Sequence, residues 1–141
     1  MSKPLKWTTD SNGLLSQPVV HDAHLAEARY KGSSLEICVD DGQRKFMLIL
    51  DGVMEANLTL WSGAIISQIV VWRLGDLSAA GKEMFDLVWK SLFEGQLADK
   101  DIDGTAHEIM ARDENALIFV VFCSYGGTVA CVAERLSVCQ A

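Results

Sequence analysis

The stretch ALIFVVFCSYGGTVACVAERLSV, Ala116 to Val138, decides the fold. It reads as two apolar strands, Ala116–Tyr125 and Thr128–Val138, joined by Gly126–Gly127, a pair suited to a two-residue hairpin loop. In that register Tyr125 faces Thr128, Cys123 faces Ala130 and Cys131 faces Phe122. The cysteines are not directly opposed, so no disulfide between them is expected. One face of the hairpin collects Leu117, Phe119, Val121, Cys123, Val132 and Leu136. The other collects Ile118, Val120, Phe122, Val129, Cys131 and Ala133. Both are apolar, whereas an antiparallel sheet with one wet side alternates. Each face therefore needs cover, from a helix and the N-terminal segment or from a second subunit. One helix is short cover for a large sheet, so a homodimer is expected.

The rest of the chain supplies that sheet. HLAEARY and SLEICVD alternate, with Leu35, Ile37 and Val39 on one side and Glu36, Cys38 and Asp40 on the other. The turn DDGQ leads into RKFMLILDGV, and DGVMEANLTLW and SGAIISQIVVWRL read as two further strands. Thr105–Ala111 reads as another. Residues 78–94 change period: Met84, Phe85, Val88, Trp89, Leu92 and Phe93 recur every three or four positions, opposite Lys82, Glu83, Asp86 and Lys90. Asp86 and Lys90 have the spacing of a helical ion pair, Ser78 or Asp76 suits the N-cap, and Gly95 suits the end. The expected fold is α+β: one domain, 1–141, with an antiparallel meander of seven to eight strands and one main helix packed on it. Residues 1–18, which hold both prolines, read as an irregular lead-in.

Composition narrows the function. Half of the 141 residues are hydrophobic, enough for one core, and the net charge is −7. An acidic chain is a poor partner for nucleic acid or an anionic membrane, and it suits a basic protein surface. The N-terminal residues lack the apolar core of a signal peptide, so a cytoplasmic location is expected, with Cys38, Cys123, Cys131 and Cys139 as reduced thiols. No two of these cysteines make a C-x-x-C pair, and no cofactor is expected.

Candidate chemistry is sparse. His21, Asp22 and His24 stand together in HDAH, with His107, Asp40 or Asp41 as possible further metal ligands. The alternative is a structural role, in which His21 or Asp22 bonds backbone groups where the lead-in meets the first strand. Cys123 with His107 has the residue types of a thiol–imidazole pair, without any constraint from spacing. The run DKDIDG places Asp99, Asp101 and Asp103 before a glycine as in a calcium loop, but the twelfth position is Met110, not glutamate. Nucleophile-elbow and phosphate-loop motifs are absent.

HDAHLAEARYKGSSLEICV, FMLILDGVMEANLTLW and AIISQIVVW together resemble the immunity protein 50 group of bacterial polymorphic-toxin systems. In that group a His-Asp-Ala motif leads into a first strand, here His21, Asp22 and Ala23, and a Gly-Val pair closes a later one, here Gly52 and Val53. SYGGTVACVAERLSV is similar to the closing hairpin of such proteins. The resemblance touches about half the chain and departs at His24, where the group usually has glutamate. It implies a β-rich module without catalytic residues that occludes a toxin. On that reading Glu36, Asp40, Asp41, Asp99, Asp101 and Asp103 are the acids that meet a basic partner. The other reading is a small-ligand or enzymatic pocket between helix and sheet near His21, Asp22 and His24.

Overall fold

The computed structural model describes residues 3–140, and of 60–63 and 125–126 the backbone only. Nine strands and two α-helices follow one another: β1 (Lys3–Leu5), β2 (Thr8–Thr9), β3 (Leu15–Gln17), β4 (His24–Lys31), β5 (Ser34–Asp40), β6 (Lys45–Asp51), β7 (Glu55–Arg73), a 3-10 segment (Leu74–Ala80), α1 (Lys82–Phe93), α2 (Asp99–Arg112), β8 (Leu117–Ala133) and β9 (Arg135–Gln140). Seven strands form one antiparallel sheet in the order β1-β9-β6-β5-β4-β7-β8, and β2 pairs with β3 alone. The α+β class and the large antiparallel sheet are as expected.

The opening stretch is the main correction. It is no hairpin. β8 runs unbroken from Leu117 through Gly126–Gly127 to Ala133, and the chain turns only at Glu134 to start β9. Its partner is β7, which joins the two strands expected from DGVMEANLTLW and SGAIISQIVVWRL into one of 19 residues. The glycine pair lies opposite an irregularity instead of a turn: Leu60 pairs with Gly127 and Ile65 with Tyr125, so four residues of β7 oppose one of β8. Extra residues on one strand bend a ribbon, and glycine is the residue that such a bend accepts. Gly127 sits there at φ +114°.

A continuous strand keeps one parity throughout, and the burial shows it. Leu117, Phe119, Val121, Val129, Cys131 and Ala133 pack together in one core. Ile118, Val120, Ala130 and Val132 pack in a second. A hairpin would have put Val129, Cys131 and Ala133 opposite Leu117, Phe119 and Val121.

The β7–β8 ribbon is thus the middle of three layers. On one side lies the outer sheet of β4, β5, β6 and β9, whose inward residues Leu25, Leu35, Ile37, Val39, Phe46, Leu48, Leu50, Leu136 and Val138 complete the first core. On the other lie the helices, which place Val88, Trp89, Leu92, Phe93, Ile102, Ala106 and Ile109 in the second. Both apolar faces of β8 are covered by this chain itself, which removes the uncovered-face argument for a second subunit.

The layers are joined at one corner. β6 passes into β7, and β8 into β9, at the same end of the sheet. The Glu134 N–H donates to the Asp51 carbonyl at 2.9 Å and the Met54 N–H to the Val132 carbonyl at 2.8 Å. Gly52 makes the turn at φ +67°, and a Cβ there would meet the Glu134 side chain. The order is therefore a meander only across β4-β5-β6.

The helical layer differs from expectation in three ways. Residues 74–80 are 3-10, and α1 begins at Lys82 after Gly81. The helical ion pair is Lys82–Asp86, at 3.7 Å, not Asp86–Lys90. Residues 99–112, read as an acidic loop and a strand, form α2. Ile102, Ala106 and Ile109 recur at helical spacing and are the residues it buries, while Asp99 and Asp101 in the first turn suit the positive end of the helix dipole. The lead-in is not irregular. It adds β1 to the sheet edge, Trp7 donates its indole N–H to the Leu136 carbonyl at 2.9 Å, and Leu14 bridges to Val70. No described helix is long and apolar enough to cross a membrane.

Candidate functional site

HDAH is a turn and a strand start. His21 and Asp22 form the turn, Asp22 at φ +66°, and β4 begins at His24. The motif does latch the sheet, but through its backbone. The Asp22 N–H donates to the Ile66 carbonyl at 2.9 Å, and the Ile66 N–H donates to the Ala23 carbonyl at 2.8 Å. The side chains point to water: His21 Nδ1 lies 3.1 Å from Asp22 Oδ2, with 68% and 77% of the two side chains exposed. The expected side-chain bonds to backbone are therefore replaced by main-chain bonds to β7.

His24 goes elsewhere. It stands opposite Asp40 in the β4–β5 register, and Asp40 stands opposite Lys45. His107 lies on α2, in the layer farthest from these strands, where its Nδ1 is 2.8 Å from the Asp103 carbonyl and its ring packs on Phe85. The three histidines are not gathered. Among the described residues no group of three or more His, Cys, Asp or Glu side chains is placed to hold a metal. Cys123 packs against the core between ribbon and outer sheet, on the opposite side of the ribbon from His107, so these two form no pair. DKDIDG is helix, not a calcium loop.

The six candidate acids divide between the outermost layers. Glu36 and Asp40 stand on β5, and Asp41 begins the β5–β6 turn; Asp99, Asp101 and Asp103 stand on α2. Several are engaged. Glu36 accepts from the Arg29 Nε at 3.3 Å. Asp41 accepts the N–H of Gln43 and of Arg44 at 2.9 and 2.6 Å, and these bonds hold its carboxyl below the usual range. Asp103 lies 3.7 Å from His107.

What sequence reasoning missed is the open face of the outer sheet. The inward residues of β5, β6 and β9 are buried, and their neighbours point away from the ribbon. Cys38, Met47, Ile49 and Cys139 therefore form a half-buried apolar strip on a face that neither helix covers. Glu27, Arg29, Glu36, Asp40 and Lys45 frame it. At Ala26 the β4–β5 register slips by one residue, leaving a hollow of about 280 Å³ lined by Ala26, Glu27, Cys38, Asp40, Lys45 and Met47. The signal was present in SLEICVD and KFMLILD, where the second set of alternating positions is itself partly apolar. A larger cavity of about 400 Å³ lies between the lead-in and the helical layer, lined by Asn12, Trp72, Ala80, Glu83, Met84 and Leu87 among others, and it includes no histidine.

Compared with known proteins, the chain matches no family model, no curated protein and no solved structure.

Proposed function

We propose that this protein is a non-catalytic binding module of the immunity-protein kind, docking a basic protein surface on the open face of its outer sheet. The carrying observation is the make-up of that face. Cys38, Met47, Ile49 and Cys139 give an apolar centre, and charged residues give a rim. That is the anatomy of a docking surface, and it occurs where the chain's own helices leave a sheet face uncovered. The net charge of −7 and the acids Glu27, Glu36 and Asp40 favour a basic partner. Asp99, Asp101 and Asp103, on the helical layer, act on approach through the long-range field and not by contact.

The test is binding to the protein encoded beside this chain's gene, measured as association and dissociation rates over a salt series. The reading expects a one-to-one complex. Ile49→Lys, which puts a charge in the apolar centre, speeds dissociation. Asp40→Lys slows association and flattens its salt dependence. A complex unaffected by Ile49→Lys places the interface elsewhere. No complex with the wild type refutes the reading.

A further inference from the structure

The large sheet ends at β1 and β8, and a further free edge lies within it. β1 is three residues long and holds Pro4, which blunts an edge. On β8, Ile118, Phe119, Val120 and Val121 are fully buried. β4 differs. It meets β7 at one ladder position, His24 opposite Ile65, and then parts from it. Residues 27–31 go on pairing with β5 on one side and, among the described residues, meet no strand on the other. Arg29, Tyr30 and Lys31 are exposed, Tyr30 to 54%.

The hairpin turn fixes which main-chain groups this edge presents. Lys31 and Ser34 close a two-residue loop, with Gly32 at φ +63°. The closing pair of such a loop exchanges main-chain bonds, and bonded and unbonded pairs alternate away from it. Arg29 is therefore bonded to Glu36, while Ala28 and Tyr30 turn their N–H and C=O groups away from β5. Side chains alternate as well. Ala28 packs on the first core, which puts Tyr30 on the same, inner side and leaves Glu27, Arg29 and Lys31 on the outer face.

We propose that this edge pairs with the same edge of a second copy of the chain, antiparallel and centred on Arg29. That register is self-complementary. Ala28 lies opposite Tyr30 of the second copy, small against large, and each such pair exchanges both main-chain bonds. Glu27 lies opposite Lys31 of the second copy at both ends, an attraction across strands. Within its own chain Glu27 pairs only loosely, with Arg29 at 4.0 Å. Arg29 meets its counterpart with its charge already answered by Glu36 at 3.3 Å. A shift by two residues one way sets Arg29 against Lys31, like against like. The other way it carries the second copy into the junction of β4 with β7 at His24. The twofold axis of this pairing crosses the sheet, so the two outer sheets join edge to edge and both open faces look the same way. No foreign protein takes part, so the inference stands or falls apart from the docking reading.

The experiment is sedimentation equilibrium of the full chain alone, at low salt and over a concentration series. The wild type is expected to form a reversible dimer. Glu27→Lys and Lys31→Glu each set like charges opposite one another at both ends, and each weakens dimerisation by about 10-fold or more. Mixed together, the two variants meet with opposite charges at both ends, so the mixture dimerises as the wild type does. The double variant Glu27→Lys/Lys31→Glu recovers self-association in one chain, and an unfolded variant could do neither. A wild type that stays monomeric, a dimer that neither single variant weakens, or weakened variants that do not recover on mixing would each overturn the pairing.

Discussion

Asn57 and Ser91 are the buried polar residues of the core among the described residues, and the two are bonded to each other. Asn57 sits on β7, and its Nδ2 donates to the Ser91 carbonyl at 2.9 Å. Ser91 lies in the last turn of α1, whose carbonyls have no partner further along the helix. A side chain from the ribbon therefore caps a helix end buried against it. Asn57→Ala orphans that carbonyl at a cost of roughly 1–3 kcal/mol, and truncation adds a small cavity. We take about 2 kcal/mol, which in a domain of this size lowers the melting temperature by roughly 4–8 °C. Asn57→Asp is the sharper variant. A carboxylate would face a carbonyl oxygen at the negative end of a helix, so it destabilises more than alanine at neutral pH. Its folded-state pKa is raised, so its penalty is absent below the ordinary aspartate range, where the protonated acid donates as the amide did. The penalty appears as pH rises through that range. Urea unfolding of the three proteins at pH 4 and pH 7 measures this. Asn57→Ala within about 0.5 kcal/mol of wild type, or Asn57→Asp with the same penalty at both pH values, would refute the capping argument.

Gly52→Ala forces a left-handed residue at the corner between layers and presses on Glu134; a loss of roughly 1–2 kcal/mol is expected in urea unfolding, and adding Glu134→Ala recovers only the contact part. His21→Ala changes stability by less than about 0.5 kcal/mol, because its ring is exposed and bonded only to Asp22. Asp22→Ala costs up to about 1 kcal/mol through its left-handed backbone, and Asp22→Gly costs nothing; a large loss in His21→Ala would restore a side-chain latch. Asp41 has a depressed folded pKa, so its contribution is present above its unfolded value of 3.8 and is lost as pH falls through the lower folded value. Asp41→Asn should therefore flatten the acid limb of the stability curve below about pH 4, and an unchanged limb would show that the β5–β6 turn does not depend on that carboxylate.

How much of this was legible in the sequence varies with how local the cause is. SLEICVD alternates, KFMLILD is a short apolar run after the DDGQ turn, and both became strands, β5 and β6, as read. The α1 stripe of Val88, Trp89, Leu92 and Phe93 is buried as its spacing required. The α2 segment was misread because Gly104 and three aspartates over five residues are loop-like, while only Ile102, Ala106 and Ile109 carry the helical period. HDAH looked like chemistry because its side chains are reactive types. Its work is done by main-chain groups of Asp22 and Ala23, and these have no residue-type signature.

Charge, core size, the alternation of β5, the apolar run of β6 and the apolarity of both faces of β8 were fixed by composition and local pattern, because each depends only on residues near one another in the chain. Whether Gly126–Gly127 turned the chain back or let it run on was not. Either conformation suits two glycines, and the choice lay with what would cover Ile118, Val120, Ala130 and Val132. The helices cover them, so the ribbon stays extended and buries both faces. The same packing leaves the outer sheet with one uncovered side, and aligns Cys38 and Met47, from the neighbouring strands β5 and β6, with Cys139 from the distant strand β9. Such a row is a property of register, and register is set only when the layers close on one another.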